Sequence, residues 1–279
     1  MQANVLLPTV TSLLGFGFAG VLFARATRRR QPHYVIWGLG LVWYAAAAAT
    51  EAVGGAQGWT AALYRTWYIT GAIGVAAFLG AGTLYVHREA AFGALTVVWL
   101  LGASAPALAG RHATVGLLGL GCAGVVTAVL SWRPSWFAHA VFAVLVVAFV
   151  AAAAQVVYAP VNASLLPAGP DEVVSGQAFD AGTRALTPPF NIAGALVLLS
   201  GAVLSAVHFG RTRAMPKRVA SNVLIAVGAF VPSLASGLTR YGITSLFFTG
   251  ELVGLACILA GFLLSGSPRQ GRGNTNSGP

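Results

Sequence analysis

Two glutamates lie inside long apolar stretches, where an ionisable side chain needs a specific reason to be present. Glu251 is about ten residues into the last stretch, which at roughly 1.5 Å per residue places it near the bilayer midplane. A carboxylate there costs on the order of 3 kcal/mol, so intramembrane acids are usually protonated, paired or part of an ion path. Glu251 is therefore the first candidate for proton or ligand binding. The alternative is a protonated glutamate that only hydrogen-bonds neighbouring helices.

Glu51 and Arg65 stand on either side of a glycine-rich turn between two apolar stretches. The sequence predicts that they pair at similar depth on neighbouring antiparallel helices. Tyr44 shares a helix face with Glu51 at seven-residue spacing, and Tyr68 lies on the partner helix. We expect a partly polar, aromatic cavity that opens outward here and could hold a small ligand. The alternative is a structural ion pair with packing aromatics. The predicted ligand or proton path thus comprises Glu251, Glu51, Arg65, Tyr44 and Tyr68.

Four of the five histidines are predicted to lie at one end of the helices. Imidazoles at one level raise the hypothesis of a haem or metal site. Haem-binding bundles usually place histidines within their helices, whereas these flank helix ends beside arginines, so titratable residues at the membrane interface are the favoured interpretation. The two cysteines have no metal-site or disulfide spacing. We expect no catalytic residues, no metal site and no cofactor, and do not favour an enzyme.

The composition indicates an integral membrane protein: mean hydropathy is +0.78, 57% of residues are hydrophobic and 8% are charged. Nearly all of the 279 residues are taken up by apolar stretches, which leaves no room for a soluble domain. A net charge of +10 would suggest nucleic acid binding in a soluble domain. Here the basic residues fall in short loops, so we expect the lipid bilayer and possible membrane proteins as partners, and no nucleic acid.

The predicted fold is an all-α, polytopic bundle with about nine transmembrane helices. The stretches that are long enough to span a bilayer are 4–26, 34–55, 60–86, 91–109, 113–131, 137–158, 189–209, 217–238 and 242–264. If alternate loops share a side, twelve of the 16 lysines and arginines fall on one side; the remainder are Arg65, Arg111, Arg184 and Arg240. This bias places the N-terminus outside and the C-terminus inside.

We expect residues 1–265 to form a single bundle and residues 266–279 to form a disordered cytoplasmic tail. The one long loop, 159–188, is predicted to be extracytoplasmic and either functional or mobile. Thr187, followed by two prolines, is predicted to be the N-cap of the seventh helix.

These patterns favour a multi-pass protein of the bacterial inner membrane that binds or translocates a small solute or proton through a cavity with a buried carboxylate. The bacterial assignment follows from the excess of arginine over lysine and the many alanines and glycines. The alternative is a non-transporting subunit or sensory module, which would act through helix contacts with partner proteins because no soluble output domain is present. A haem-carrying or lipid-modifying enzyme is a third hypothesis.

Overall fold

The computed structural model describes residues 3–110, 112–169, 172–212, 216–239, 241 and 243–265. Within them the regular structure is entirely helical, and nine helices are long and apolar enough to span a membrane. These candidate spans are Asn4–Arg29, Pro32–Gln57, Ala61–Leu84, Ala90–Ala109, Ala113–Trp132, Pro134–Tyr158, Ala181–Arg211, Pro216–Thr239 and Phe247–Ser265. The all-helical fold and the nine apolar helices confirm the sequence prediction. The predicted tail, 266–279, lies outside the described residues.

The helices are labelled in chain order as α1 (Ala3–Arg29), α2 (Pro32–Gln57), α3 (Ala61–Trp67), α4 (Val75–Leu84), α5 (Ala90–Ala109), α6 (Ala113–Trp132), α7 (Phe137–Tyr158), α8 (Ala181–Arg184), α9 (Ala193–Thr212), α10 (Pro216–Thr239) and α11 (Phe247–Ser265). Two π-helical segments interrupt this order. The first, Tyr68–Gly74, joins α3 to α4, and the second, Pro188–Ile192, leads into α9. The third span is thus α3, a π-helical segment and α4.

The turn between α2 and α3 shows how local sequence sets the helix ends. Pro32 occupies the first turn of α2, where its missing N–H has no intrahelical partner to lose. Gly58 ends the helix with φ of 89°, which favours glycine. Thr60 then caps α3 by accepting a hydrogen bond from Leu63 N at 3.2 Å. The predicted helical hairpin is therefore present.

Six of the nine spans form a closed ring. Around it, α1 packs on α2, α2 on the third span, the third span on α9, α9 on α10, α10 on α11, and α11 again on α1. The third span is the most enclosed, with 72% of its apolar window buried. The other three spans lie outside the ring: α5 packs on α9 and α6, and α7 packs on α4. The ring is the part of the bundle that can enclose a site.

Glycines allow two of the ring contacts to be very close. Gly80 of α4 and Gly194 of α9 face each other's backbone, and a Cβ on either would overlap main-chain atoms of the partner helix. Gly228 and Gly254 meet in the same way where α10 crosses α11, beside Pro232. Gly228 and Gly254 therefore form a close helix-packing contact one turn from Glu251.

A small apolar cavity lies inside the ring and receives a side chain from each of its six helices. Its volume is about 50 Å³. The lining residues include Phe18, Trp37, Leu79, Leu198, Ile225 and Ile258. Because residues seven apart share a helix face, these positions mark the inward-facing stripes of their helices. Continuing a stripe by seven residues leads from Ile258 to Glu251 and from Trp37 to Tyr44 and Glu51.

Adding a methyl group at the α10–α11 crossing should destabilise the bundle. In Gly254→Ala the new Cβ would overlap the ring of Pro232 and the carbonyl oxygen of Gly228. We expect the free energy of unfolding to fall by about 1–3 kcal/mol, measured by titrating detergent-solubilised protein with denaturant. Gly124→Ala is the control, since a Cβ at Gly124 meets nothing within 4 Å. Equal stability of the two variants would contradict this packing.

Candidate functional site

The most unusual feature of the ring interior is a pair of carboxyl groups. Glu51 of α2 and Glu251 of α11 bring their side chains close enough together to interact. Both helices flank α1, so the pair bridges the inner face of α1. Glu51 is 2% exposed, whereas Glu251 is partly exposed. The structure thus brings together two acids that are 200 residues apart in the sequence.

Only one oxygen of the Glu51 carboxyl has a hydrogen-bond donor. Glu51 Oε1 accepts a hydrogen bond from Trp67 Nε1 at 2.8 Å. Glu51 Oε2 is buried and receives no hydrogen bond from any hydroxyl, amide or ring N–H of the described residues. Two ionised carboxylates in contact would repel strongly inside an apolar bundle and could not hydrogen-bond to each other. A single proton shared by the two acids would supply the missing donor and leave one negative charge.

Tyr44 links α2 to α11 beside the two acids. Its hydroxyl donates a hydrogen bond to the main-chain oxygen of Glu251 at 2.9 Å. Tyr44 lies seven residues before Glu51 on the same stripe of α2, which matches the predicted shared face. The Tyr44 bond holds α11 against α2, and the Trp67 bond holds the third span against α2.

The last helix begins later than the predicted stretch 242–264. Helix α11 begins at Phe247, because residues before it form a turn instead of continuing the helix. Glu251 is therefore the fifth residue of the helix and lies only about one turn from its start. This places Glu251 level with Glu51, which lies six residues before the end of α2. The sequence assigned too many residues to the last helix because the apolar stretch extends into the turn.

Thr11 of α1 is a third polar group at this level. Its side chain is 0% exposed, and Oγ1 has no hydrogen-bond partner among the described residues. Thr11 lies seven residues before Phe18, a cavity-lining residue, and so shares its inward-facing stripe. Gly15 of α1 packs against Ala45 of α2. Thr11 lies one turn from that contact, on the side towards the level of Glu51.

The predicted ion pair between Glu51 and Arg65 is absent. Arg65 Nη2 instead donates a hydrogen bond to the carbonyl oxygen of Ala159 at 2.9 Å. Helical phase explains the error: residues 65 and 67 point about 200° apart, so only one of them can face α2. Trp67 takes that position and bonds Glu51, while Arg65 faces the segment that follows α7. The sequence placed Arg65 near the level of Glu51 correctly, but it did not predict which side of its helix Arg65 faces.

Tyr68 also faces the long loop, and the expected outward cavity is filled there. The hydroxyls of Tyr68 and Thr187 hydrogen-bond at 2.6 Å, and Tyr64 donates to Ser175 O at 2.7 Å. The ring of Phe179 lies 4.9 Å from both tyrosine rings, measured between centroids. Tyr64 and Tyr68 are consequently almost fully buried. Of the five predicted path residues, the structure brings together Glu51, Glu251 and Tyr44, and it places Arg65 and Tyr68 under the loop.

The described part of the long loop is ordered by its own short-range contacts as well. Asp180 caps α8 by accepting hydrogen bonds from Thr183 Oγ1 at 2.6 Å and Gly182 N at 2.9 Å. The hydrogen bond from the Thr183 hydroxyl lowers the pKa of Asp180 below its ordinary value. Thr187 occupies the N-cap position of Pro188–Ile192 with the two prolines after it, as predicted, but its side chain makes no capping hydrogen bond because its hydroxyl bonds Tyr68.

The histidines do not converge on one site. His87 Nε2 lies 3.0 Å from Ser205 Oγ, and His139 Nδ1 lies 3.0 Å from the hydroxyl of Tyr85. Burial lowers the pKa of His87, against a smaller opposing effect of Glu89. In the described ranges, no three His, Cys, Asp or Glu side chains are grouped so that they could hold a metal ion. The described residues therefore give no geometric support for a haem or metal site shared by these histidines.

Sequence reasoning singled out both acids but missed that they meet. The seven-residue spacing of Tyr44 and Glu51 indicates one face of α2, and that of Glu251 and Ile258 indicates one face of α11, but neither spacing specifies that the two faces meet. The chain matches no protein-family model, no curated protein and no solved structure. Its function must therefore be inferred from the geometry of the carboxyl pair.

The tyrosine hydroxyls should determine how firmly the long loop is held. Tyr64→Phe removes the hydrogen bond to Ser175, and Tyr68→Phe removes those to Thr187 and Thr183, while the ring packing stays intact. Each change should ease local opening of the loop by about 1 kcal/mol. Amide hydrogen exchange of residues 172–187 measures this. Tyr158→Phe is the control, since Tyr158 is 87% exposed. Unchanged exchange in both test variants would show that the loop is held by other contacts.

Proposed function

We propose that this chain is a multi-pass protein of the bacterial inner membrane that binds a proton at the Glu51–Glu251 pair and translocates a proton or small solute through the six-helix ring. The nine apolar helices support the membrane location, and the one-sided distribution of lysine and arginine supports an N-terminus outside. The carboxyl pair carries the proposal.

The pair has the properties of a proton-binding site. A lone carboxylate would be costly in this interior, and the bundle accommodates two acids only because they can share a proton. Trp67 and Tyr44 hold Glu51 and the Glu251 backbone in place, so proton transfer would need little rearrangement of the acids themselves.

The ring around the pair is polar at one end and apolar at the other. The acids and Thr11 lie towards the end covered by the long loop, and the cavity lined by Phe18, Trp37 and Ile258 lies further along the same stripes. An apolar layer of this kind prevents a continuous water path in the resting bundle. Transport would therefore require the ring to open alternately at its two ends, with the acids near one of them.

A non-transporting subunit or sensory module is the second candidate. Helix α6 favours it, since Gly121 and Gly124 have no heavy atom near the position of a Cβ and leave room for another helix. Under this proposal, a partner helix would pack on the exposed side of α6. Isolation of the protein from its native membrane in mild detergent tests it: a reproducible stoichiometric partner supports this function, and a lone chain counts against it.

Replacing either acid should abolish proton movement. In proteoliposomes with an internal pH-sensitive dye and an imposed membrane potential, we expect proton uptake by the wild type. Glu51→Gln and Glu251→Gln keep the side-chain volume but remove the titratable proton, so both should fall to the rate of protein-free liposomes.

Glu89→Gln is the matched control, because its side chain is 70% exposed and lies outside the ring. It should transport as the wild type does. Size-exclusion chromatography of each variant shows whether it is folded. Proton uptake that persists in correctly folded Glu51→Gln and Glu251→Gln would refute the proposal.

A further inference from the structure

We infer that the end of the bundle at the α1–α2 turn binds the headgroup of an anionic phospholipid, with residues 28–30 and Arg88 as the site. The ligand class is a lipid whose phosphate carries an uncompensated negative charge, as in phosphatidylglycerol. The inference concerns a partner of the chain and does not depend on the carboxyl pair. Its basis is an excess of cationic side chains at this end, for which the described residues supply almost no carboxylate.

Tertiary contacts gather the basic residues at one end of the bundle. Helix α1 ends where α2 begins, and Arg88 of the α4–α5 turn is close enough to His33 of α2 to interact electrostatically with it. The same turn is hydrogen-bonded to the start of α7 and to the second half of α9. The described cations at this end are Arg25, Arg28, Arg29, Arg30, Arg88, Arg133, Arg211, Lys217 and Arg218.

These cations are not balanced by acids of the chain. Among the described residues, Glu89 is the one acid at this end, and its carboxylate lies 3.9 Å from His87 instead of beside an arginine. At the opposite end the described charges of the third span and the long loop balance: they are Arg65, Arg184, Glu172 and Asp180. A strongly positive surface of this kind attracts anions from outside the chain.

Tryptophans place these cations at the depth of lipid headgroups. Trp132 and Trp136 are both exposed, on either side of the α6–α7 turn, and tryptophan prefers the boundary between acyl chains and headgroups. The guanidinium of Arg133 lies 5.5 Å from the centroid of the Trp132 ring. Exposed apolar side chains such as Val125 and Leu204 continue along the helices. A phospholipid can contact both the apolar and the basic surface, whereas a soluble polyanion would contact only the basic one.

The densest group of cations is the α1–α2 turn. Arg28 and Arg29 end α1, and Arg30 follows with φ of 51°, where the chain reverses into α2. All three side chains are exposed. Arg25 lies one turn earlier, and its guanidinium packs 4.0 Å from the centroid of the Phe262 ring. A cluster of four or more basic residues at the end of a membrane helix is typical of sites for anionic lipids.

Arg88 adds a fixed guanidinium to this cluster. Its Nε donates a hydrogen bond to the carbonyl oxygen of Tyr85 at 3.2 Å, and its other two nitrogens have no hydrogen-bond partner among the described residues. His33, with which Arg88 interacts, follows Arg30 by three residues. A planar guanidinium with two free nitrogens can bind two phosphate oxygens at once. Arg88 and the α1–α2 turn can therefore hold one headgroup between them.

Lipid retention measured by native mass spectrometry tests the inference. Purified protein in mild detergent is equilibrated with equal amounts of phosphatidylglycerol and phosphatidylcholine that have identical acyl chains. We expect the wild type to retain phosphatidylglycerol preferentially. From the contribution of one basic residue near a lipid surface, Arg88→Gln should lower this preference about fivefold and Arg29→Gln/Arg30→Gln about 25-fold. Arg88→Lys should fall between the wild type and Arg88→Gln, because lysine keeps the charge but not the planar pair of donors.

The controls remove equal charge where no site is proposed. Arg184→Gln changes an exposed arginine at the opposite end and should keep the wild-type preference. Arg211→Gln/Lys217→Gln removes two charges from the same end and should lower the preference less than Arg29→Gln/Arg30→Gln does. All these side chains are exposed, and size-exclusion chromatography checks that each variant is folded.

Three results would overturn the inference. The first is equal retention of the two lipids by the wild type. The second is an equal loss of preference in the two double variants, because binding would then follow total charge instead of a site at the α1–α2 turn. The third is the appearance of inorganic phosphate adducts in place of retained lipid, which would show a site for free anions.

Discussion

The meeting of Glu51 and Glu251 is the constraint on which the ring interior depends. Each acid alone would place a charge in an apolar environment, and both ionised together would repel. A shared proton would reduce the charge to one and supply a donor where the described residues offer only Trp67. The two acids come from α2 and α11, the two helices that pack on α1. The distance between the acids therefore depends on the relative position of three helices.

Polarity changes along each inward stripe. On α1 the stripe runs from Thr11 to Phe18, on α2 from Glu51 to Trp37, and on α11 from Glu251 to Ile258. On these three stripes, the polar groups thus lie in one half of the ring and large apolar side chains lie in the other. The loop clamped by Tyr64 and Tyr68 covers the polar end.

Hydropathy alone predicted the number of helices correctly, because a span needs about 20 apolar residues whatever its neighbours are. The depth of Arg65 was also predictable, but its direction was not, since it depends on the helical phase of α3 relative to α2. The meeting of Glu51 and Glu251 could not be predicted, because local periodicity does not specify that α11 returns to pack beside α1. The order of the long loop likewise arises from tertiary contacts such as Phe179 between two tyrosines.

Infrared spectroscopy of the purified protein at neutral pH tests the shared proton most directly. The C=O stretch of a protonated carboxylic acid is distinct from the bands of carboxylates and amides. We predict that the wild type shows this band, that the band shifts in D₂O, and that it moves or disappears in Glu51→Gln and Glu251→Gln but not in Glu89→Gln. A wild-type spectrum without a protonated carboxyl band at neutral pH would contradict the account.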